Sequence, residues 1–302
     1  VTASPRPPVV LDLDGSVAQL AGERRLALAQ DWQERLRFGC GLPCMQAFAR
    51  VLQREMPPCA AHGTVFMGSG DFHHLSWPLV ARCIAAHGHT TARPLRVVVL
   101  DNHPDNMRYP FGVHCGSWVR RVALLPQVAQ VHVIGITSAD IGAGHAWENY
   151  LRPLLARRLT YWSVGVDTGW ARWLGIGAQF RTFADADSLV DACSGLLAAD
   201  GTAAYLSIDK DVFAPSVVRT NWDQGVFQVR HAAAIAGALR GRLAGSDVTG
   251  DVSQYRYRSA WKRLLSGRDG QDTAAERAEL PAWQAAQGAL NGALRTLLDA
   301  AA

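Results

Sequence analysis

Short runs of β-branched and other apolar residues alternate along this chain with longer stretches in which apolar positions recur three and four residues apart. The first pattern is that of strands buried on both faces, and the second that of helices laid against a sheet. Strands are predicted at 9–13, 64–68, 95–100, 131–136, 162–166 and 203–208. Helices are predicted over 23–38, 46–54, 77–86, 117–125, 147–158, 188–199 and 228–243, with two more near 255–265 and 274–300. This alternation predicts a three-layer α/β fold with a mainly parallel central sheet. No internal repeat or long Gly/Ser/Pro linker interrupts it, so one domain over residues 1–302 is expected.

Composition narrows the function classes. With 49% hydrophobic and 19% charged residues, the chain has globular composition and enough apolar surface for a sizeable core. Its 30 basic and 26 acidic residues are scattered, and no Lys/Arg run is present to track phosphates, so nucleic acid is not an expected partner. No apolar stretch reaches the roughly 18 residues needed to span a bilayer, and the first residues lack the layout of a signal peptide. A cytoplasmic protein with a small-molecule substrate is the expectation. The six cysteines are too sparse for a disulfide scaffold, and Cys40 with Cys44 lacks a second Cys/His pair to complete a zinc site.

In an open parallel sheet, ligands bind beyond the carboxyl ends of the strands. Three predicted strands end in acids and histidines. Val97-Val98-Val99-Leu100 runs into Asp101-Asn102-His103-Pro104-Asp105. If the backbone stays extended there, Asp101, His103 and Asp105 face one side and converge. Ser207-Ile208-Asp209-Lys210-Asp211 repeats the spacing with Asp209 and Asp211, and Gly68-Ser69-Gly70-Asp71-Phe72-His73-His74 places two histidines after a glycine turn. Four carboxylates in one cleft repel unless cations neutralise them. An oxygen-rich set with one or two imidazoles suits manganese, with cobalt, nickel, iron or zinc as alternatives. Two such ions, roughly 3.5 to 4 Å apart, would make hydroxide available near neutral pH as the nucleophile.

These three segments, in this order and over about residues 64 to 251, resemble the motifs of the ureohydrolases: arginase, agmatinase and formiminoglutamase. The resemblance implies the arginase-like fold, shared with metal-dependent deacetylases, and hydrolysis of a C–N bond in a guanidino, amidino or ureido substrate. It implies that His73, Asp101, Asp105 and Asp209 hold one ion, and that Asp101, His103, Asp209 and Asp211 hold the other. Phe72 intervenes where the family places its histidine next to the aspartate, so His74 competes with His73, and His73 is favoured because the next residue already turns into the following helix. The resemblance also makes His114 a proton shuttle, with Asp211 as the other proton carrier, and sets Asn221, Trp222 and Asp223 where relatives carry a substrate loop. Asp251 occupies the place of the acid that receives a guanidinium group. Relatives form trimers and hexamers, so a homo-oligomer is compatible with the resemblance.

Two rivals compete. On the same fold, amide deacetylation would attack an acyl carbonyl instead. Separately, Leu11-Asp12-Leu13-Asp14-Gly15 looks like the nucleophile motif of haloacid-dehalogenase phosphatases, with Asp12 attacking phosphorus and Asp14 as acid and base.

Overall fold

A computed structural model describes residues 6–268 and 279–302. Its strands are β1 (Val9–Asp12), β2 (Arg24–Ala27), β3 (Gly39–Cys40), β4 (Val65–Phe66), β5 (Leu95–Leu100), β6 (Val113–His114), β7 (Val128–Ile136), β8 (Leu159–Val164), β9 (Phe180–Phe183), β10 (Ala204–Asp209) and β11 (Leu243–Thr249). The helices are α1 (Asp31–Leu36), α2 (Leu42–Glu55), α3 (Ser76–His87), α4 (Val119–Ala123), α5 (Leu151–Leu155), α6 (Ala186–Ala199), α7 (Val229–Ala238), α8 (Ala260–Arg268) and α9 (Leu280–Ala301).

Nine strands form one sheet in the order β2-β1-β4-β11-β10-β5-β7-β8-β9, with every neighbouring pair parallel. β3 and β6 form a separate antiparallel pair. The sheet separates two apolar layers, and strand alternation divides its side chains between them. Val97, Val99 and Tyr205 pack on one face with residues of α1 to α4, whereas Val98, Leu100, Leu206 and Ile208 pack on the other with α6, α7 and α9. Both faces of the central strands are therefore covered, which is why those strands read as unbroken apolar runs. The three-layer α/β architecture is as expected.

The differences have physical reasons. The helix expected over 23–38 is a strand, β2, followed only at Asp31 by α1. The helix-forming residues Arg24 to Ala27 instead complete the sheet edge against β1, where tertiary pairing overrides local propensity. The helix expected over 228–243 stops at Ala238, and β11 begins at Leu243 in the middle of the sheet. Gly245, Ser246 and Asp247 hide that strand from an apolar pattern. Gly245 is there because a Cβ would lie 3.0 Å from the Tyr205 ring, and Ser246 is satisfied by Thr64 Oγ1 at 2.8 Å. The edge strand β9 escapes notice because its middle residues are exposed. The helix expected over 147–158 shrinks to α5, and residues 274–278 of the last expected helix lie outside the described residues. Among the described residues, no helix is long and apolar enough to cross a membrane.

The sheet order carries the main functional consequence. β4, β11, β10 and β5 are consecutive neighbours, so the segments leaving their carboxyl ends share one mouth. Leu206 tests the division of faces, since it points away from Ser207 into the α6–α7–α9 layer. Leu206→Ala should lower the unfolding free energy in urea by about 2 to 5 kcal/mol, with metal stoichiometry unchanged.

Candidate metal centre

After β4, residues Gly70–Leu75 form a 3-10 turn that leads directly into α3. Phe72 is fully buried in the core, so its insertion turns His73 toward the mouth, and His74 is buried outside both metal-type clusters. His73 Nδ1 lies 2.9 Å from Asp105 Oδ2, 3.1 Å from Asp101 Oδ2 and 3.5 Å from Asp209 Oδ2. A single ring nitrogen cannot donate to three carboxylates at once. His103 Nδ1 lies 3.0 Å from Asp211 Oδ2 and 3.5 Å from Asp101 Oδ1. Two groups with converging ligand atoms result, His73–Asp101–Asp105 and Asp101–His103–Asp211, and Asp101 belongs to both. Asp209 borders the first group and accepts the Asp211 N–H through Oδ1 at 3.1 Å.

The convergence does not come from extended backbone, as the alternate spacing suggested. Only Asp209 lies in a strand, and Asp211 sits in the 3-10 turn Lys210–Val212. Asp105 closes a tight turn with φ +46°, a left-handed conformation uncommon for a residue with a Cβ. Trp118 Nε1 holds it there by donating to Asp105 Oδ2 at 2.6 Å, and Val119 N–H donates to the Asp105 carbonyl at 2.9 Å. Close approach is also enforced by glycine. A Cβ at Gly250, whose φ is +94°, would lie 2.5 Å from Asp209 Oδ1.

Crowding sets the protonation. Burial, reinforced by the charge of Asp101, pushes the Asp105 and Asp211 carboxyls up to about 7. Burial and Asp211 raise Asp209 well above the usual range. For Asp101, burial works upward but hydrogen bonds from His103 and His73 outweigh it and hold the carboxyl low. Burial opposes charge on both imidazoles, yet Asp105 and Asp101 raise His73, and Asp211 and Asp101 raise His103. Imidazolium protons thus stand where divalent cations would fit: an oxygen-rich, buried set with excess negative charge.

Outer contacts fix these ligands. His73 Nε2 meets Ser207 Oγ at 2.9 Å, and Ser207 donates to Asp247 Oδ1 at 2.6 Å. Asp247 also accepts from Ser76 Oγ and from the Tyr205 hydroxyl at 2.7 Å. Asn102 N–H donates to Asp211 Oδ1 at 3.1 Å, while its side chain donates to Asp223 and accepts from Thr137. Sequence reading missed Asn102, Trp118 and Asp247, because a brace on a ligand carries no local pattern.

A cavity of about 870 Å³ opens over both groups, lined by Phe38, Tyr109, His114, Trp222 and Asp223 among others. Asp223 Oδ1 sits 2.7 Å from His103 Nε2. Trp222 and Phe38 stack with ring centroids 6.5 Å apart, and Phe38 stacks on His114 at 5.7 Å. His114 Nδ1 accepts the Gly116 N–H at 3.0 Å, and burial lowers the imidazole to about 3, so it is neutral and carries its proton on Nε2. Cys115 lies partly buried on the cavity wall.

Three expectations need correction. Asp251 does not line the cavity; it is buried against Lys210 Nζ at 2.8 Å and accepts from Asn291 at 3.0 Å. The cause is Lys210, whose buried ammonium requires a counter-charge at that point. Asn221 also lies off the cavity, its Oδ1 accepting the Ser253 N–H at 2.8 Å. Asp12 and Asp14 are drawn to different arginines, Arg25 and the buried Arg37, each at 3.3 Å, and Arg37 also pairs with Asp71 at 2.6 Å. Asp14 braces the loop that carries His73, accepting also from Ser69 N–H, whereas Asp12 is held at the sheet edge, so the two do not form a nucleophile pair.

Comparison with known proteins agrees with this architecture. The chain superposes over its full length on 94% of proclavaminate amidino hydrolase from Streptomyces clavuligerus, with a TM-score of 0.53 and 16% identity. It matches a candidate agmatinase from Clostridium difficile over 98% of both chains, with a TM-score of 0.50 and 12% identity. An uncharacterised protein of Thermotoga maritima is 29% identical over 118 residues, which is 36% of this chain; the chain spans 45% of that relative's length. No family model matches. The fold is therefore the arginase-like fold of the ureohydrolases.

Because Asp251 balances a buried lysine, Asp251→Ala should lower the unfolding free energy by about 3 to 5 kcal/mol, read by urea denaturation. A variant of normal stability that had lost only substrate affinity would return Asp251 to the substrate site.

Proposed function

We propose that this chain is a two-metal hydrolase that cleaves a C–N bond in a guanidino, amidino or ureido compound. The observation that carries the reading is the pair of buried His/Asp groups sharing Asp101 at one sheet mouth. His73, Asp101, Asp105 and Asp209 would hold one divalent ion; Asp101, His103, Asp209 and Asp211 would hold the other. Manganese suits these hard oxygen donors best, with cobalt, nickel, iron or zinc as substitutes. When bound, such ions supply Lewis acidity and lower the pKa of water.

The chain's own residues do the rest. The cavity is large enough for a small, amino-acid-sized compound and presents Trp222 and Asp223 at its rim. His114 offers an Nε2–H toward the leaving nitrogen as a neutral donor, and Asp211 is the second proton carrier. In the metal-free chain hydrogen bonds run from Asp211 through His103 to Asp223, whose side chain is 65% exposed; with His103 Nδ1 given to an ion, its Nε2–H would still donate to Asp223 and fix the ring. The arginase-like fold supports this reading without specifying the substrate.

One observation favours a second reading, amide deacetylation. With Asp251 committed to Lys210, the acid expected to receive a guanidinium group is absent from the cavity, and an uncharged acyl group needs none. A panel of guanidino, ureido and N-acylated amines, assayed with manganese for urea, ammonia or carboxylate release, separates the two. Turnover of the acylated amines alone would replace the first reading with the second.

Chain purified without chelator should hold about two equivalents of metal by elemental analysis, and Asp101→Ala and Asp209→Ala should lose metal and activity together. Full occupancy in Asp101→Ala would overturn the proposal. Metal affinity should also depend on pH. Asp105 and Asp211 keep their protons up to about 7 in the metal-free chain, and those protons must leave before an ion can enter. The raised imidazoles of His73 and His103 must also give up protons, so affinity should rise from pH 6 to pH 8 by about tenfold for each carboxyl and further for each imidazolium. Competition titrations with a metal indicator at the two pH values check this.

A further inference from the structure

Cys40 and Cys44 lie outside the metal centre and take no part in its chemistry. Cys40 ends β3, Gly41 caps the following helix in extended backbone with φ −66° and ψ 153°, and Cys44 is the third residue of α2. The chain doubles back as it passes from strand to helix, and the two thiols hydrogen-bond to each other. Their surroundings differ. Cys40 is buried in the core, whereas Cys44 is partly exposed. Arg35 hydrogen-bonds to Cys44, and the Lys262 ammonium, fixed by the Glu34 and Arg37 carbonyls at 2.6 and 2.8 Å, acts on both sulfurs. The hydrogen bond from Cys40, helped by these two cations, lowers the Cys44 thiol to about 6 against the cost of burial, while the same bond and burial raise Cys40. Thiolate character therefore falls on the accessible sulfur and the proton stays on the buried one. Elsewhere burial pushes the Cys83 and Cys193 thiols up to about 12.

We infer that Cys40 and Cys44 are a peroxide-responsive dithiol, a modification site at which Cys44 is oxidised first and Cys40 then closes a reversible disulfide. In the first step the Cys44 thiolate attacks one oxygen of hydrogen peroxide, the O–O bond breaks, and hydroxide leaves a sulfenic acid behind. In the second the Cys40 sulfur attacks the Cys44 sulfur, an S–S bond forms, and the hydroxyl departs as water with the Cys40 proton. Together the two thiols lose two electrons and two protons, and one peroxide becomes two waters. The arrangement suits this order of events. The attacking sulfur is the one that solvent reaches, and the resolving sulfur is already in contact with it, so the pair need only close to about 2.05 Å. The dithiol is also anchored to the wall of the cavity over the metal centre, since Cys40 follows the wall residue Phe38 by two positions and β3 pairs with β6, which carries His114.

Peptide mass spectrometry on the full, reduced chain tests the inference. Tryptic cleavage after Arg37 and Arg50 releases both thiols on one peptide, residues 38–50, that holds no other cysteine. After equimolar hydrogen peroxide this peptide should be lighter by two hydrogens, resist alkylation, and return to its reduced mass with dithiothreitol. An oxygen gained at Met45 moves the mass the other way. Oxidation of the pair should run about tenfold faster than that of Cys59 or Cys115, which are partly exposed as well. Cys40→Ser should stop at the Cys44 sulfenic acid, trapped by dimedone, and Cys44→Ser should leave Cys40 reduced. If Cys40→Ser fails to fold, wild type and Cys44→Ser decide the matter. Every readout concerns sulfur alone, so the result stands apart from whether the chain binds metal. The inference is overturned if the peptide stays reduced, or is oxidised no faster than Cys59 and Cys115. Sulfenic or sulfinic acid that accumulates on wild-type Cys44 without ring closure, a disulfide between chains in place of the internal one, or Cys40 oxidised as readily in Cys44→Ser would overturn it equally.

Discussion

Four aspartates buried within hydrogen-bonding reach of two imidazoles form the constraint around which this molecule is arranged. Like charges so placed in a low-dielectric interior cannot all ionise unless cations stand between them. In the metal-free chain that role falls to protons on His73 and His103 and on carboxyls pushed to about 7. The fold tolerates this crowding because the acids leave adjacent strands of one sheet whose two faces are fully covered. Hydrophobic burial away from the mouth offsets the electrostatic cost at the mouth.

A ring of buried polar pairs keeps the arrangement from relaxing. Arg37 ties Asp14 and Asp71 beneath the His73 turn, Lys210 ties Asp251 beneath the Asp209 turn, and Asp247 ties Ser207 behind His73. Each pair lies next to a turn that carries a ligand, and each binds elements far apart in sequence. Breaking one would free a side chain of the candidate centre as well as strand a charge, so stability and site geometry are linked here.

Much of this was legible beforehand, for identifiable reasons. β5 and β10 were read at almost their true limits because both faces are buried, which forces an apolar run, and the acids after them stood out against that run. His73 could be preferred to His74 because the chain must turn into α3. What stayed hidden depended on partners distant in sequence. β11 is polar where it faces Tyr205 and Ser207, β2 is a strand only because β1 is beside it, and Asp251 turns from the cavity because Lys210 is adjacent in space. The local geometry of the ligands was also misjudged. Tight turns and a left-handed Asp105, not a pleated strand, bring them together.

The position of β11 has a bearing on how the centre comes into being. It is the last strand in sequence, yet it is wedged between β4 and β10, both made earlier. Until the ribosome has released the chain through Thr249, nothing spaces the His73 turn from the Asp209 turn, and a nascent chain of that length carries only the Asp101 and Asp209 arms side by side. Parallel pairings of such long sequence separation form slowly. Any role that needs the His73, Asp101 and Asp209 arms together must therefore wait until the sheet closes around β11.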